Sequence, residues 1–309
     1  MQTLLILQDL GVAREVISEL IREAGLPLEP LWPAPDRAPS PDEVVAIVTV
    51  NKPVDERLLT RFPNVRIVAV AFTGYDAVDL EACRKRNAAV CNVPSYATDS
   101  VAELTIGLAI ALLRDIAAGD RTIHSGGWLL AQPGAELAGK TVGIIGTGAI
   151  GLRVAELFRA LKCKLIGWSR TQRKAFTTLG GTYLTIDAVF SRADIVSLHV
   201  PLNAETRGLI GRKELSLMKP GACLINTARG PIVDSAALVD ALSTGGIRAA
   251  IDVFDTEPLP TGDPLIHAGA AVLTPHIAYK THEALERRAR ITIENIKGFL
   301  DGKDINRVV

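Results

Sequence analysis

Short apolar runs alternate with longer stretches of helical period along almost the whole chain. Before residue 100 the apolar runs are TLLILQ, VAIVTV, RIVAVA and AAVCNV. Between the first two, AREVISELIREAG sets Val16, Ile17, Leu20 and Ile21 on one helical face. A continuous apolar run followed by a helical pattern suits a strand buried on both faces, so the alternation predicts parallel sheets with crossover helices. The proline-rich stretch from 27 to 43, PLEPLWPAPDRAPSPDE, predicts a long irregular connection. A second series starts at residue 140 with TVGIIG, KLIGWS, DIVSLHV, ACLINTA, AAIDVF and AVLTPH. Helical patterns such as IGLRVAELFRAL and DSAALVDALST separate these runs, the latter with Asp234 in the N-cap position. One long helix is expected from about Ser100 to Ser125, opening on TDSVAE, and a last one over THEALERRARITIENIKGFLDG. That final helix follows the last strand of the second series, which leaves it free to pack back onto the first.

Composition narrows the class. A chain of 309 residues with 48% apolar and 22% charged positions suggests two domains with a large core and no extended disorder. Lysine plus arginine equals aspartate plus glutamate at 34 each, so no nucleic-acid or anionic-membrane partner is expected. The N-terminus lacks the basic and long apolar regions of a secretory signal. The most apolar stretch, LTIGLAIALL, is too short to span a bilayer. Cys83, Cys91, Cys163 and Cys223 are scattered with no metal-like spacing, as expected of free thiols in a reducing cytoplasm. No metal site is expected.

The segment TVGIIGTGAIGLRVAELF reads as a strand, then Gly146, Gly148 and Gly151 at GxGxxG spacing, then an amphipathic helix. Gly146 permits a tight turn, Gly148 lets the backbone approach a pyrophosphate, and Gly151 lets helix and strand pack closely. The N–H groups at the helix start, at Ala149 and Ile150, face the anion. A dinucleotide is therefore expected here. An Asp or Glu usually follows the next strand and accepts hydrogen bonds from the ribose. This chain has Ser169, Arg170 and Thr171 there, then Arg173 and Lys174. A carboxylate repels a 2′-phosphate, whereas a hydroxyl and a guanidinium bind one. The expected cofactor is NADP, with NAD as the alternative if the basic run is only a solvated turn.

Ligands of such a sheet lie at the carboxyl ends of its strands. Arg229, Asp252, His199 and His276 all follow apolar runs. Each alone also has an ordinary reading, since an arginine in a loop is common and a strand-end histidine is often a hydrogen-bonded structural residue. Glu257, in DTEPLP, is by itself a loop acid.

The run LMKPGACLINTARGPIVDSAALVDAL, then AAIDVFDTEPLP, then LTPHIAYKTHEA, resembles the D-isomer-specific 2-hydroxyacid dehydrogenase family, of the glyoxylate or hydroxypyruvate reductase kind. TGYDAVDL and VPSYATDSVAE match it too, so the likeness covers nearly the whole chain. It implies two Rossmann-like or flavodoxin-like α/β domains with a cleft between them. Residues 1–97, completed by 281–309, would be the substrate domain, and 98–280 the dinucleotide-binding domain. It implies a catalytic trio of Arg229, Glu257 and His276. His276 would give a proton to the keto oxygen, Glu257 would orient it, and the planar fork of Arg229 would clamp the substrate carboxylate. Backbone N–H groups around Thr73 and Gly74 would bind the substrate, and Asp252 the nicotinamide amide. His199, Thr227 and Ala228 would line the cofactor site. The resemblance also implies a homodimer formed through the helix after Ser100.

The expected reaction is reduction of glyoxylate or hydroxypyruvate to the D-2-hydroxy acid by NADPH, and Tyr279 just past His276 is as in many glycerate-type members. Rivals are an NAD-dependent D-2-hydroxyacid, phosphoglycerate or phosphite dehydrogenase, and a non-enzymatic dinucleotide-sensing corepressor. Glu257 argues against formate dehydrogenases, which carry Gln there. The absence of long low-complexity extensions weighs against the corepressor.

Overall fold

A computed structural model describes residues 2–32, 39–128 and 133–309. The chain divides into two compact units, residues 1–97 with 280–309, and residues 98–279. In the first unit β1 (Gln2–Ile6), β2 (Leu28–Leu31), β3 (Val44–Thr49), β4 (Ile67–Val70) and β5 (Ala89–Cys91) form one sheet in the order β2-β1-β3-β4-β5. Every pairing is parallel, and the order is that of the flavodoxin-like doubly wound sheet. The crossovers carry α1 (Arg14–Glu23), α2 (Glu56–Arg61) and α3 (Leu80–Lys85). Asp55 and Asp79 cap α2 and α3 by accepting from Leu58 N and Ala82 N, at 2.8 and 2.9 Å.

The second unit holds α4 (Thr98–Leu113), α5 (Ile116–His124), β6 (Thr141–Ile145), α6 (Ala149–Ala160), β7 (Lys164–Trp168), α7 (Lys174–Thr178), β8 (Thr182–Tyr183) and α8 (Ile186–Arg192). It continues through β9 (Ile195–Leu198), α9 (Arg212–Leu217), β10 (Ala222–Asn226), α10 (Ser235–Ser243), β11 (Ile247–Ile251) and β12 (Ala271–Leu273). The sheet order is β12-β11-β10-β9-β6-β7-β8, all parallel. This is the doubly wound dinucleotide-binding order with one strand added, and its order reverses between β6 and β9. Residues on β6, β9 and β10 are buried on both faces, as Val142, Ile144, Ile195, Val196, Leu224 and Ile225 show. Asp234 caps α10 by accepting from Ala237 N at 2.9 Å. The chain then returns to the first unit, where α11 (His282–Leu300) buries Ala289, Ile293 and Ile296 against residues of β1, β3 and β4.

The two parallel sheets and their crossover helices agree with the reading of the sequence. Three details differ. The helix expected over 100–125 is two helices, because Asp115 between them adopts a left-handed φ of 50°. Its carboxylate is held by Arg248 on β11. The stretch from 27 to 43 is not wholly irregular, since β2 lies within it; residues 33–38 of that stretch are outside the described residues. β2 is an edge strand, paired on one side only, where a proline such as Pro30 is tolerated. The two-residue β8 was not expected. All four cysteines are free and buried. Among the described residues no helix is long and apolar enough to cross a membrane.

Candidate active site

The end of β6 turns sharply at Gly146, with φ at 95°, and its N–H donates to the carbonyl of Trp168 at 2.7 Å. A side chain at Gly146 would meet the His199 carbonyl at 2.6 Å, and one at Gly151 would meet the Gly146 carbonyl at 1.9 Å. Both positions need glycine for reasons internal to the protein. Gly148 differs, because a Cβ there would meet nothing within 4 Å. Gly148 is the N-cap of α6, so its open face lies at a helix N-terminus whose first N–H groups, at Ala149 and Ile150, lack intrahelical partners. An anion fits this mouth, and the bare Cα keeps it accessible. The bond from Gly146 to Trp168 places Ser169, Arg170 and Thr171 beside the same turn. Ser169 is half-buried, while Arg170 and Thr171 are exposed. Arg170 pairs with Glu205 at 2.8 Å, both side chains being mostly exposed.

On the other side of the switch point, β10, β11 and β12 end in register, with Asn226 opposite Ile251 and Ile251 opposite Leu273. Just past these ends lie Arg229, Asp252 and His276. Asp252 has no exposed surface. Its Oδ1 accepts from Thr274 Oγ1 at 2.6 Å and Ile277 N at 2.9 Å, and its Oδ2 from Ala278 N at 3.0 Å. The His276 N–H donates to the Asp252 carbonyl at 2.8 Å. One buried carboxylate thus folds the 274–278 loop around itself and holds His276 in a left-handed conformation, φ 51°. Such a backbone costs roughly 1–3 kcal/mol and persists only where its surroundings impose it.

His276 Nδ1 is 2.7 Å from Glu257 Oε2, while Glu257 Oε1 accepts from Phe254 N at 3.0 Å. Burial pushes the Glu257 carboxyl up, but the His276 hydrogen bond, the Phe254 amide and the charges of His276 and Arg229 outweigh it and leave the carboxyl below its ordinary value. Arg229 is therefore near enough to act on Glu257. Gly230 explains how: a Cβ there would lie 2.1 Å from the Phe254 carbonyl carbon, so the Arg229 turn packs directly on the loop leading to Glu257. Asn226, 1% exposed, clasps that turn from below, donating from Nδ2 to the Arg229 carbonyl at 2.9 Å and accepting at Oδ1 from Ala228 N at 3.0 Å. Arg229 Nη1 donates to the Ala228 carbonyl at 2.7 Å.

The second unit thus brings Arg229, Glu257 and His276 together. His199 is different: its Nε2 stands 2.8 Å from Ser197 Oγ, and its Nδ1 is buried without a partner among the described residues. Burial pushes its pKa down to about 3, so the ring is neutral, and its backbone and Cβ border the glycines of the turn. The Thr227 hydroxyl is turned inward, 3.3 Å from Thr105 Oγ1 on α4, while Ala228 lies in the turn that Asn226 clasps. Asp252, expected at the nicotinamide, has both carboxylate oxygens committed to the loop that carries His276. In the first unit Thr73 Oγ1 donates to the Val93 carbonyl at 3.0 Å, and the Thr73 carbonyl accepts from Asn92 Nδ2 at 2.7 Å, which fixes the turn entering Gly74. The sequence reading missed Asn226 and Gly230. A short amide side chain at a strand end, before a turn, was the one available signal for the first.

Residues 106–278 match the family model described as D-isomer specific 2-hydroxyacid dehydrogenase, NAD binding domain. The chain is 40% identical over 272 residues to a glyoxylate reductase of Thermococcus litoralis, covering 84% of this chain and 82% of that one. It is 33% identical to a hydroxypyruvate reductase of Blautia hydrogenotrophica, covering 85% and 84%. Among solved structures, a D-lactate dehydrogenase of Aquifex aeolicus complexed with NAD and lactic acid superposes with a TM-score of 0.84 at 29% identity, covering 97% of this chain and 96% of that one.

Proposed function

The chain belongs to the D-isomer-specific 2-hydroxyacid dehydrogenases, and from that premise we propose that it reduces glyoxylate or hydroxypyruvate to the D-2-hydroxy acid with NADPH. The observation that carries the reading is the 2.7 Å bond between His276 and Glu257, beside Arg229 at the carboxyl ends of the strands. Gly146, Gly148 and Gly151, with the N–H groups of Ala149 and Ile150, would hold the pyrophosphate, and His199, Thr227 and Ala228 would line the same cofactor site. A reduced nicotinamide held there would supply the hydride for the keto carbon. His276, gripped at Nδ1 by Glu257, gives its Nε2 proton to the keto oxygen, which becomes the hydroxyl. Arg229 holds the substrate carboxylate with a planar pair of donors and draws electron density toward the keto oxygen. Asp252, fully buried, acts instead through the loop that carries His276, which its carboxylate folds around itself.

The preference for NADPH rests on the end of β7. Ser169 removes the carboxylate that would repel a 2′-phosphate, Thr171 adds a hydroxyl, and Arg170 supplies a cation. The Arg170–Glu205 pair is exposed, and such pairs contribute about 0–1 kcal/mol, so a phosphate dianion displaces it. Hydrogen bonds to charged groups contribute about 1.5–3 kcal/mol each, so a single one gives roughly a 10- to 150-fold preference. The test is Ser169→Asp with Arg170→Ala, which should reverse most of the preference in kcat/KM. An unchanged ratio in that variant excludes this site as its source.

A second copy of the chain is the proposed partner. Helix α5 has no buried residue, yet Ile116 and Ile123 are 53% and 54% exposed and Trp128 is 83% exposed. Apolar side chains so placed on and just after an amphipathic helix mark an association surface.

A further inference from the structure

The turn bearing Ser169, Arg170 and Thr171 is anchored by a residue further along the chain. Tyr183, on the edge strand β8, sets its hydroxyl 2.7 Å from Thr147 Oγ1 and accepts the Arg173 N–H at 2.8 Å. Thr147 lies between Gly146 and Gly148 and is 1% exposed, so its hydroxyl has no access to water. The Tyr183 ring lies 4.9 Å, centre to centre, from Phe176 on α7. Phe176 is itself wholly buried in a slot that side chains at Gly167 or Gly181 would close, at 2.8 and 2.5 Å. One phenol oxygen therefore ties the glycine turn to the far end of the basic turn. The near end is tied separately, by the Gly146 N–H to the Trp168 carbonyl at 2.7 Å.

We propose that Tyr183 is a positioning residue for cofactor selectivity, holding the basic turn at a fixed distance from the pyrophosphate mouth so that Ser169 and Arg170 meet the 2′-phosphate of NADPH. This rests on the NADPH reading above. The physical basis is spacing. In a dinucleotide the 2′-phosphate and the pyrophosphate are carried by the same ribose, so a protein that binds both must fix its two anion-binding turns relative to each other. Preorganised donors lose affinity when they are left free to drift. NADH lacks the 2′-phosphate and serves as the internal reference, because its ribose hydroxyls reach the same turn without drawing on the charge of Arg170.

The test is Tyr183→Phe in the full-length protein, with dissociation constants of NADPH and NADH measured by nicotinamide fluorescence titration without substrate. Loss of one hydrogen-bonded hydroxyl should lower the NADPH-over-NADH affinity ratio about five- to tenfold. Thr147→Val, which removes the same bond from its other side, should lower it equally. The double variant should lower it no further, while Thr147→Ser should keep the wild-type ratio. Should Tyr183→Phe not fold, Thr147→Val against Thr147→Ser reads the same bond. An unchanged ratio in Tyr183→Phe, or additive losses in the double variant, overturns the proposal. Arg170→Ala separates the two levels: if it too leaves the ratio unchanged, the NADPH reading has failed. If it lowers the ratio while Tyr183→Phe does not, only the role of Tyr183 has failed.

Discussion

Replacing Glu257 by glutamine removes one charge from the candidate site and nearly preserves its shape. The glutamine side chain can keep the bond that Oε1 accepts from Phe254 N at 3.0 Å, which turns its amide NH2 toward His276 Nδ1, in wild type 2.7 Å from a carboxylate oxygen. An amide NH2 donates and cannot accept. The doubly protonated imidazole therefore loses its acceptor and faces a competing donor, while the neutral ring with a bare Nδ1 keeps a partner. The change acts selectively against the form that gives up a proton. Hydrogen bonds to charged groups contribute about 1.5–3 kcal/mol, equivalent to roughly 10- to 150-fold in rate. The His276 and Glu257 side chains are 25% and 36% exposed, so solvent screening puts the expected loss near the lower end, about 10- to 30-fold in kcat/KM for glyoxylate. Because the Glu257 carboxyl is held below its ordinary value, it is ionised throughout a neutral assay, and the comparison is of charged against neutral. Steady-state reduction of glyoxylate with NADPH near neutral pH, alongside a cofactor titration, measures both effects. Cofactor affinity should be unchanged. A Glu257→Gln enzyme within threefold of wild type would refute the pairing as a catalytic device.

His276→Ala should lower turnover about 100-fold or more, the usual contribution of a positioned general acid, with cofactor affinity retained; turnover within a few-fold of wild type removes His276 from the proton-donor role. Arg229→Lys should be severely impaired with every 2-oxo acid, because a point charge does not replace a planar fork, and a defect confined to one substrate would make Arg229 a side-chain selector instead. His199 carries a pH signature in stability. Its folded pKa is depressed to about 3 from 6.5, so the unfolded chain takes up a proton that the folded ring refuses. Stability is then lost as pH falls from 6.5 toward 3, by up to about 1.4 kcal/mol per unit. Urea midpoints at about pH 7 and pH 5, on either side of the unfolded value, should show a smaller acid loss for His199→Asn than for wild type, and equal losses would remove His199 as the cause.

The parallel sheets were legible because their central strands are buried on both faces, and double burial writes itself as unbroken runs such as TVGIIG and ACLIN. The glycine turn was legible because two of its glycines answer steric demands set by the backbone around them. What stayed hidden depends on partners distant in sequence. The break at Asp115 is held by Arg248, and no helical period registers that. β2 has one neighbouring strand and a proline, so it lacks the run of a central strand. Asn226, Gly230 and Tyr183 matter through contacts with Arg229, Phe254 and Thr147, and none of those contacts has a spacing signature. His199 stood at a strand end like His276, but its ring bonds Ser197 whereas His276 bonds Glu257, and a strand end alone does not tell these partners apart.

The most direct test is kcat/KM for glyoxylate reduction by the unmutated protein with NADPH and with NADH. The expected result is glyoxylate-dependent oxidation of both cofactors, with NADPH favoured at least about tenfold through its 2′-phosphate contacts. Equal efficiency with the two cofactors would contradict the assignment of Ser169 and Arg170, and no glyoxylate- or hydroxypyruvate-dependent oxidation of either would contradict the proposed reaction itself.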